Sequence, residues 1–478
     1  MNRHLFDIES ESIEEKQQQQ ERYDLMTKTP VRPLVIKMAI PAIISMVITA
    51  LYNIIDTMYV GRLSTEATAG IGVSFAYMAL IQALGFFFGH GSGNFISQCL
   101  GAKKHKDAET MAAVGFFSPL ILGSIIGMTG LAILPHLSKA IGATPDILKH
   151  TNDYLRFILI ATPFMMSSLT LNNQLRLQGN AQYAMVGIAI GAIINIIIDP
   201  IFIFVFDMGV TGASLATAIS QFISWTALLK GTRRKGNVHI RIKNFKPSLH
   251  QYQLIFEGGF PSLCRQILAS ISITLLNHAA AIYAVPGYEA STLAAFAVVT
   301  RIMMFIFSII LGIGQGFQPI CGFNYGARLY ERVRSSYIFT IKVMTVILII
   351  MAVSLSIFAP QIISLFRNED AELIKIGTYV MLWQCLALPL SGLNTATNML
   401  FQTIRMTFKA TLLSICRQGL FFIPTILIAP LFLGLQGVEI TQAVADALSF
   451  MLTVPFSIWI IKDLKKKEAQ NNLSASKA

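Results

Sequence analysis

Long runs of apolar residues alternate with short polar connections along almost the whole chain. Twelve of these runs are long enough to cross a membrane as an α-helix, which takes roughly 20 residues. The sequence therefore predicts an all-α polytopic membrane protein. Its predicted spanning helices cover residues 34–60, 68–99, 110–134, 153–176, 184–206, 210–230, 255–284, 291–322, 336–359, 375–401, 409–432 and 437–461.

The overall composition supports this fold class. Of the 478 residues, 54% are hydrophobic and only 13% are charged, and the mean hydropathy is +0.60. A soluble chain would be about a quarter charged. The five cysteines lie in or beside apolar runs without CxxC spacing, so they are interpreted as small core residues.

Basic residues are concentrated in every second connection between the predicted helices. They include the runs around Lys103, around Arg233 to Lys246, and around Lys465. By the positive-inside rule these connections face the cytoplasm, which predicts that both termini are cytoplasmic. The formal charge of +12 therefore reflects membrane topology, and no nucleic-acid partner is expected.

Polar segments divide the chain into predicted regions. A polar cytoplasmic tail covers 1–33, and we expect it to be disordered or to lie on the surface. A six-helix lobe follows at 34–230, then a basic cytoplasmic linker at 231–253. A second six-helix lobe covers 254–462, and a basic and polar tail covers 463–478.

The two predicted lobes resemble each other in sequence at an offset of 220 to 226 residues. The matched residues are Gly101 to Lys103 with Gly326 to Arg328, Pro163 with Pro389, Pro200 with Pro424, and Gly209 with Gly434. Two repeats in the same orientation predict pseudo-two-fold symmetry about the membrane normal, with the substrate path between the lobes.

One carboxylate, Asp56, lies inside the first predicted helix. A charge there costs at least about 2.5 to 3.5 kcal/mol near the membrane centre, so such residues usually serve a function. A second acid, Asp199, lies in the fifth helix four residues after Asn195, on the same helical face. Thr217 of the sixth helix is expected at a similar depth.

These four side chains predict an oxygen-rich site for Na⁺ or a proton, because hard cations prefer oxygen ligands. The alternative is that the acids only bond neighbouring helices. The second repeat argues for function, because the counterparts of Asp56 and Asp199 are near Leu276 and Ile423. Acids that were needed to hold the fold would be expected in both repeats.

Further candidates could line a substrate cleft: Phe87, Met165, Asn173 and Arg301. Packing or an interfacial position is the alternative for the first three. For Arg301 we favour an internal ion-pair network with Asp446, with substrate contact second. The role of Arg265, another charge within a predicted helix, stays open.

Several of these stretches carry a family resemblance. They are TALYNIIDTMYVGRL after Pro41, Gly101-Ala102, NIIIDPIFIF, and GVTGASLATAISQ. With them the chain resembles multidrug and toxic compound extrusion (MATE) transporters of the prokaryotic DinF/MepA-like branch, over about 34–461. The resemblance implies a cation site at Asp56, Asn195, Asp199 and Thr217, and a bend of the first helix at Pro41.

The resemblance implies a secondary antiporter in a bacterial plasma membrane that exports organic, mainly cationic drugs in exchange for Na⁺ or H⁺. No other cofactor is expected, and a monomer should suffice. No Walker A, HExxH or GxSxG motif occurs, so an enzyme is not expected. One alternative is a lipid-linked oligosaccharide flippase of the same superfamily; another is a non-transporting receptor or membrane enzyme.

Overall fold

The structure is a computed structural model that describes residues 2–366 and 370–475. Twelve of its helices are long and apolar enough to cross a membrane, as the sequence predicts. We call them spans 1 to 12. They are Val31–Val60, Thr65–Gly101, His105–Ala132, Leu148–Leu177, Ala181–Val205, Gly209–Thr232, Leu249–Ile282, Glu289–Gly326, Tyr330–Ile357, Ala371–Thr403, Thr407–Leu433 and Leu435–Leu473. Shorter helices cover Leu134–Ala140 and Ala359–Ser364.

Glycines allow the helices of the first six spans to pack closely. Gly85, Gly89 and Gly93 lie on one face of span 2, and a side chain at any of them would collide with span 4. Small residues at such a seam let two helix backbones approach each other within a membrane. These glycines therefore serve packing.

The backbone repeats itself at the matched positions of the two halves. Lys103 and Arg328 both have positive φ, at 58° and 60°. The Asn172 amide donates to the Ala184 carbonyl oxygen at 2.9 Å, and Asn398 donates to the Ala410 oxygen at 2.6 Å. Non-glycine residues rarely adopt positive φ, so the shared geometry supports a duplicated six-span unit.

Irregular helical segments interrupt three of the spans, in two cases at a proline. Pro200 in span 5 is followed by π-helix from Ile201 to Val205, and span 10 contains a short 3₁₀ segment at Leu388–Leu390. Span 11 contains π-helix at Cys416–Leu420. Such interruptions free backbone groups and turn side chains away from the regular helical positions, and they often occur at functional sites.

The two lobes meet on the side of the bundle that carries both chain ends, here called the terminal side. There Gly101 packs on the Phe323 carbonyl, and Gly326 packs on the Gln98 carbonyl. The two contacts exchange under the 225-residue repeat, as expected for pseudo-two-fold symmetry. Gly316 of span 8 likewise lies against Ala39 in the terminal half of span 1. The lobes are therefore closed on the terminal side.

The N-terminal tail forms a helix over Asn2–Lys28, so the alternative of a disordered tail is wrong. The prediction failed because the segment has little apolar periodicity of its own. Its last turn nevertheless packs into the protein, where the Met26 side chain is fully buried against Gly179. Tertiary packing, rather than an amphipathic stripe, stabilises this helix.

The N-terminal helix contacts both lobes and the linker between them. Arg22 donates to the Gly236 carbonyl oxygen at 2.8 Å and to the Asn237 side chain at 2.5 Å. On the C-terminal lobe, Asn324 and Arg332 donate to the Met26 carbonyl oxygen at 3.0 and 3.3 Å. Burial lowers the pKa of the Arg22 guanidinium to about 10, so it stays charged at neutral pH.

Substituting Asp for Met26 should detach this helix, because burying an unpaired carboxylate is very unfavourable. Trypsin cleavage after Arg22 in the purified protein should then accelerate at least about tenfold, since a detached segment opens freely. Gln17→Asp, an exposed change on the same helix, is the matched control. Equal cleavage rates in Met26→Asp and the control would contradict the docking.

Candidate functional site

Two carboxylates meet in the interior of the N-terminal lobe. Asp56 lies four residues before the end of span 1, and Asp199 lies just before the proline-linked irregularity of span 5. Their side chains are 4% and 0% exposed, and the carboxyl groups are within hydrogen-bonding contact of each other. Such contact is stable when a proton or a cation lies between the two groups.

An amide and a hydroxyl complete the cluster, as the sequence predicts. The Asn195 side chain donates to Asp199 Oδ1 at 3.1 Å and approaches Thr217 Oγ1 at 3.5 Å. Both residues are almost fully buried. Spans 1, 5 and 6 thus each contribute to one cluster, which lies in the half of the lobe away from the terminal side.

Among the side chains that the structure describes, three oxygens of this cluster are buried and have no hydrogen-bond partner. They are Asp56 Oδ1, Asn195 Oδ1 and Asp199 Oδ2. Buried polar atoms are normally bonded, so unpaired oxygens within one cluster indicate a bound species that donates protons or accepts lone pairs. The donor set fits Na⁺, which prefers carboxylate and carbonyl oxygens, and it equally fits a proton.

A tyrosine that sequence reasoning missed also belongs to the cluster. Tyr52 lies one helical turn before Asp56, makes a side-chain hydrogen bond with Thr217, and is close enough to both acids to interact with their charges. The spacing of four residues was a usable signal, because such residues share a helical face. Tyr52 can thus connect the acids with the space beside them.

That space is a cavity of about 90 Å³ within the N-terminal lobe. Tyr52, Asn195 and the predicted cleft residue Met165 all line it. Its remaining walls come from spans 2, 4, 5 and 6 and include Gln82, Ser168, Ser220 and Gln221. A small ligand in this cavity would touch Asn195 and Tyr52, while the two acids lie directly behind them.

The other predicted cleft residues do not join this cavity. Phe87 packs edge-on against Phe256 where the lobes meet. Asn173 is 1% exposed, and its amide donates to the Leu169 carbonyl oxygen at 2.8 Å. Arg301 is exposed on span 8. The sequence could not reveal which face of each helix turns inward.

A buried polar network between the lobes was not predicted. Arg176 of span 4 is 2% exposed and donates across the interface to the Gln315 carbonyl oxygen at 2.6 Å and to Gln318 at 3.1 Å. It also lies 3.3 Å from His90, whose other ring nitrogen is 3.1 Å from Ser262. These bonds join the lobes on the terminal side.

Asp446 forms an ion pair, but its partner is Arg417 rather than the predicted Arg301. The Arg417 guanidinium donates to Asp446 at 2.6 and 3.3 Å and lies 4.0 Å from the centre of the Phe307 ring. The π-helix of span 11 carries Arg417 and turns it inward, which sequence periodicity could not foresee. Among the described residues, no carboxylate lies within 4 Å of Arg301.

Among the described residues there is no group of three His, Cys, Asp or Glu side chains that could hold a metal ion. The oxygen cluster differs from such a group because two of its four members are neutral. Neutral ligands lower the charge of a site, which suits a monovalent cation better than a divalent one. The exchange of Na⁺ or H⁺ stays a prediction.

Family and relative comparisons agree with this architecture. The MatE family model matches residues 41–201 and 266–428. The "Multidrug export protein MepA" of Staphylococcus saprophyticus is 26% identical over 423 residues, covering 87% of this chain and 92% of that protein. Its namesake from Staphylococcus haemolyticus is 27% identical over 446 residues, covering 92% and 94%.

Solved structures show the same fold. The outward-facing conformation of a multidrug resistance MATE family transporter matches with a TM-score of 0.86 and 27% identity, covering 93% of this chain and 98% of that one. A transporter of the wider MOP superfamily from Pyrococcus furiosus Vc1, described by a reversed polarity of its binding pocket, matches with a TM-score of 0.85 and 28% identity. It covers the same fractions of the two chains.

Proposed function

The chain belongs to the MatE family of multidrug efflux transporters, and from this premise we propose that it is an antiporter. It exports organic, mainly cationic compounds in exchange for Na⁺ or H⁺. It does so as a monomer in the plasma membrane, with both termini in the cytoplasm. The coupling ion binds at Asp56, Asn195, Asp199 and Thr217.

The three unpartnered buried oxygens carry this proposal. A site with two acids and no nearby base is stable only when positive charge is bound to it, because isolated buried anions are costly. One proton shared between Asp56 and Asp199, or one Na⁺ among the oxygens, supplies that charge. Either ion can be released when the surroundings of the site change.

The closed terminal side supports an exchange mechanism. The basic connections support a cytoplasmic position for this side, and with that orientation the lobes are closed towards the cytoplasm. Ion binding from outside stabilises one packing of spans 1, 5 and 6, and drug binding from inside stabilises the other. Such coupling is reciprocal, since each ligand changes the affinity for the other by the same factor.

The charge balance of the exchange predicts how much the membrane potential contributes to its driving force. A net charge that crosses the membrane gains about 2.3 kcal/mol per 100 mV. One monovalent drug cation moving out against one Na⁺ or H⁺ moving in transfers no net charge. Exchange at this ratio draws on the ion gradient alone.

Ethidium efflux from proteoliposomes tests the proposal, with a Na⁺ gradient and a pH gradient imposed separately. The wild-type protein should respond to one of the gradients, and Asp199→Asn should not respond to either. Asp207→Asn is the matched control, since this acid is exposed in the connection eight residues further on. Asp207 has a positive φ of 51°, which asparagine tolerates as well as aspartate does.

Two outcomes would count against the proposal. If wild-type efflux follows neither gradient, the result would favour the alternative function of a lipid-linked oligosaccharide flippase. Gradient-driven efflux that persists in Asp199→Asn would leave an antiporter but remove the ion site from these residues.

A further inference from the structure

The C-terminal lobe contains a second and larger cavity, of about 280 Å³. Spans 7, 8, 10, 11 and 12 enclose it. Its lining includes two arginines, Arg265 and Arg417, together with several amide side chains. No acid of the kind that defines the N-terminal cluster lines this cavity among the described residues.

The repeat relates this cavity to the one in the N-terminal lobe. Residues that line the two cavities correspond under the repeat: Tyr52 and Ser168 of the first cavity match Ser272 and Asn394 of the second. Leu276, the counterpart of Asp56, lines the second cavity. Both lobes therefore contain an equivalent internal space, with acids beside the first and arginines in the wall of the second.

Arg417 is neutralised within the protein. Asp446 accepts two hydrogen bonds from it, and the Gln442 amide donates to Asp446 at 3.0 Å. The Phe307 ring covers the guanidinium at 4.0 Å from its centre. A pair that is bonded and stacked in this way holds its geometry but leaves little net charge in the cavity.

Arg265 is not neutralised. Its hydrogen bond goes to the Ser262 hydroxyl at 3.4 Å, and no carboxylate lies within 4 Å of it among the described residues. The other arginine close to this region, Arg176, donates to neutral partners and lies 3.3 Å from His90, whose other ring nitrogen is 3.1 Å from Ser262. The cavity therefore has an excess of positive charge.

The rest of the wall combines apolar and polar groups. Met303, Phe307 and Phe422 form an apolar surface, while Gln418 Oε1 is buried without a hydrogen-bond partner. Aromatic and thioether side chains favour flat apolar groups, and the guanidinium of arginine favours carboxylates. One ligand that satisfies both parts carries an aromatic body and a carboxylate group.

We propose that the C-terminal cavity binds aromatic carboxylates, with Arg265 as the residue that contacts the carboxylate. This deepens the proposed efflux function and rests on it, because it adds organic anions and zwitterions to the substrate class. The two lobes then bind opposite charges: positive charge at Asp56 and Asp199, and negative charge at Arg265. A zwitterionic compound then binds through its acidic group at Arg265 in the C-terminal lobe.

Calorimetric titration of the purified full-length protein in detergent tests this inference. The probes are 2-naphthoate and the matched cation 2-naphthylmethylammonium, with detergent alone subtracted. Arg265→Gln should weaken naphthoate binding at least tenfold, which corresponds to about 1.4 kcal/mol. Arg301→Gln, which removes an exposed arginine of span 8, should leave naphthoate binding unchanged.

A second variant guards against a folding defect in Arg265→Gln. Ala269 lines the cavity one helical turn after Arg265, so Ala269→Asp would place a carboxylate beside the guanidinium. It should also weaken naphthoate binding while Arg265 remains. Absence of naphthoate binding to the wild type, or equal binding to the wild type and both variants, would overturn the inference.

The N-terminal ion site is tested separately. Naphthoate binding to the wild type in detergent needs no ion gradient, so it can be measured whether or not the protein exports ethidium. Absence of gradient-driven ethidium efflux with retained naphthoate binding would therefore contradict the antiport proposal and leave the C-terminal cavity as a binding site. Loss of naphthoate binding in Arg265→Gln alone concerns only the C-terminal cavity.

Discussion

Replacing Asp56 with asparagine is expected to lower gradient-driven ethidium efflux at least about 100-fold, equivalent to about 2.7 kcal/mol. Asparagine keeps the shape of the side chain but removes the negative charge that holds the coupling ion. Since Asp56 and Asp199 are in contact, they act as one unit. The double variant Asp56→Asn/Asp199→Asn should therefore be no slower than either single variant.

Initial efflux rates from proteoliposomes measure this effect, normalised to the amount of reconstituted protein. The thermal unfolding temperature of each variant shows whether folding is retained. Independent roles for the two acids would appear as multiplied losses in the double variant. That result would place the acids in separate sites rather than in one shared cluster.

Replacing Asp446 with asparagine is expected to destabilise the C-terminal lobe by about 3 to 5 kcal/mol, because it leaves the Arg417 charge buried without a partner. Glu468→Gln is the matched control on the same helix. Its partner Arg334 is 3.4 Å away and both side chains are about one quarter exposed. A pair of this kind contributes at most about 1 kcal/mol.

Thermal unfolding in detergent compares the two variants. The double variant Arg417→Met/Asp446→Leu should recover most of the loss, since apolar residues of similar size often replace a buried ion pair without cost. If Asp446→Asn and Glu468→Gln lower the unfolding temperature equally, the Arg417–Asp446 pair contributes no more to stability than the exposed pair does. No recovery in the double variant would indicate a role beyond pairing.

The spans and the repeat could be predicted because the membrane imposes a strong pattern. A helix that crosses lipid must be apolar over about 20 residues, so its presence is visible without any knowledge of packing. The ion cluster could also be predicted, since each acid is rare in such surroundings. Asp199 and Asn195 share one helical face, which brought two of the four members together from spacing alone.

The inward direction of isolated side chains could not be predicted. The partner of Asp446 depends on a π-helix that rotates Arg417, and helical periodicity does not reveal such a segment. Arg176 bonds to residues 139 and 142 positions away, through contacts that form only when the lobes meet. The N-terminal helix is stabilised by docking, for which its own sequence gives little signal.

The N-terminal helix also limits how the two lobes can move. It is hydrogen-bonded to the linker through Arg22 and to the C-terminal lobe through Asn324 and Arg332, and Met26 is buried against Gly179 of the N-terminal lobe. Separation of the lobes on this side must therefore break one set of these contacts in every cycle. The segment before the first span thus acts as a clasp across the lobes and adds to the barrier for opening on the terminal side.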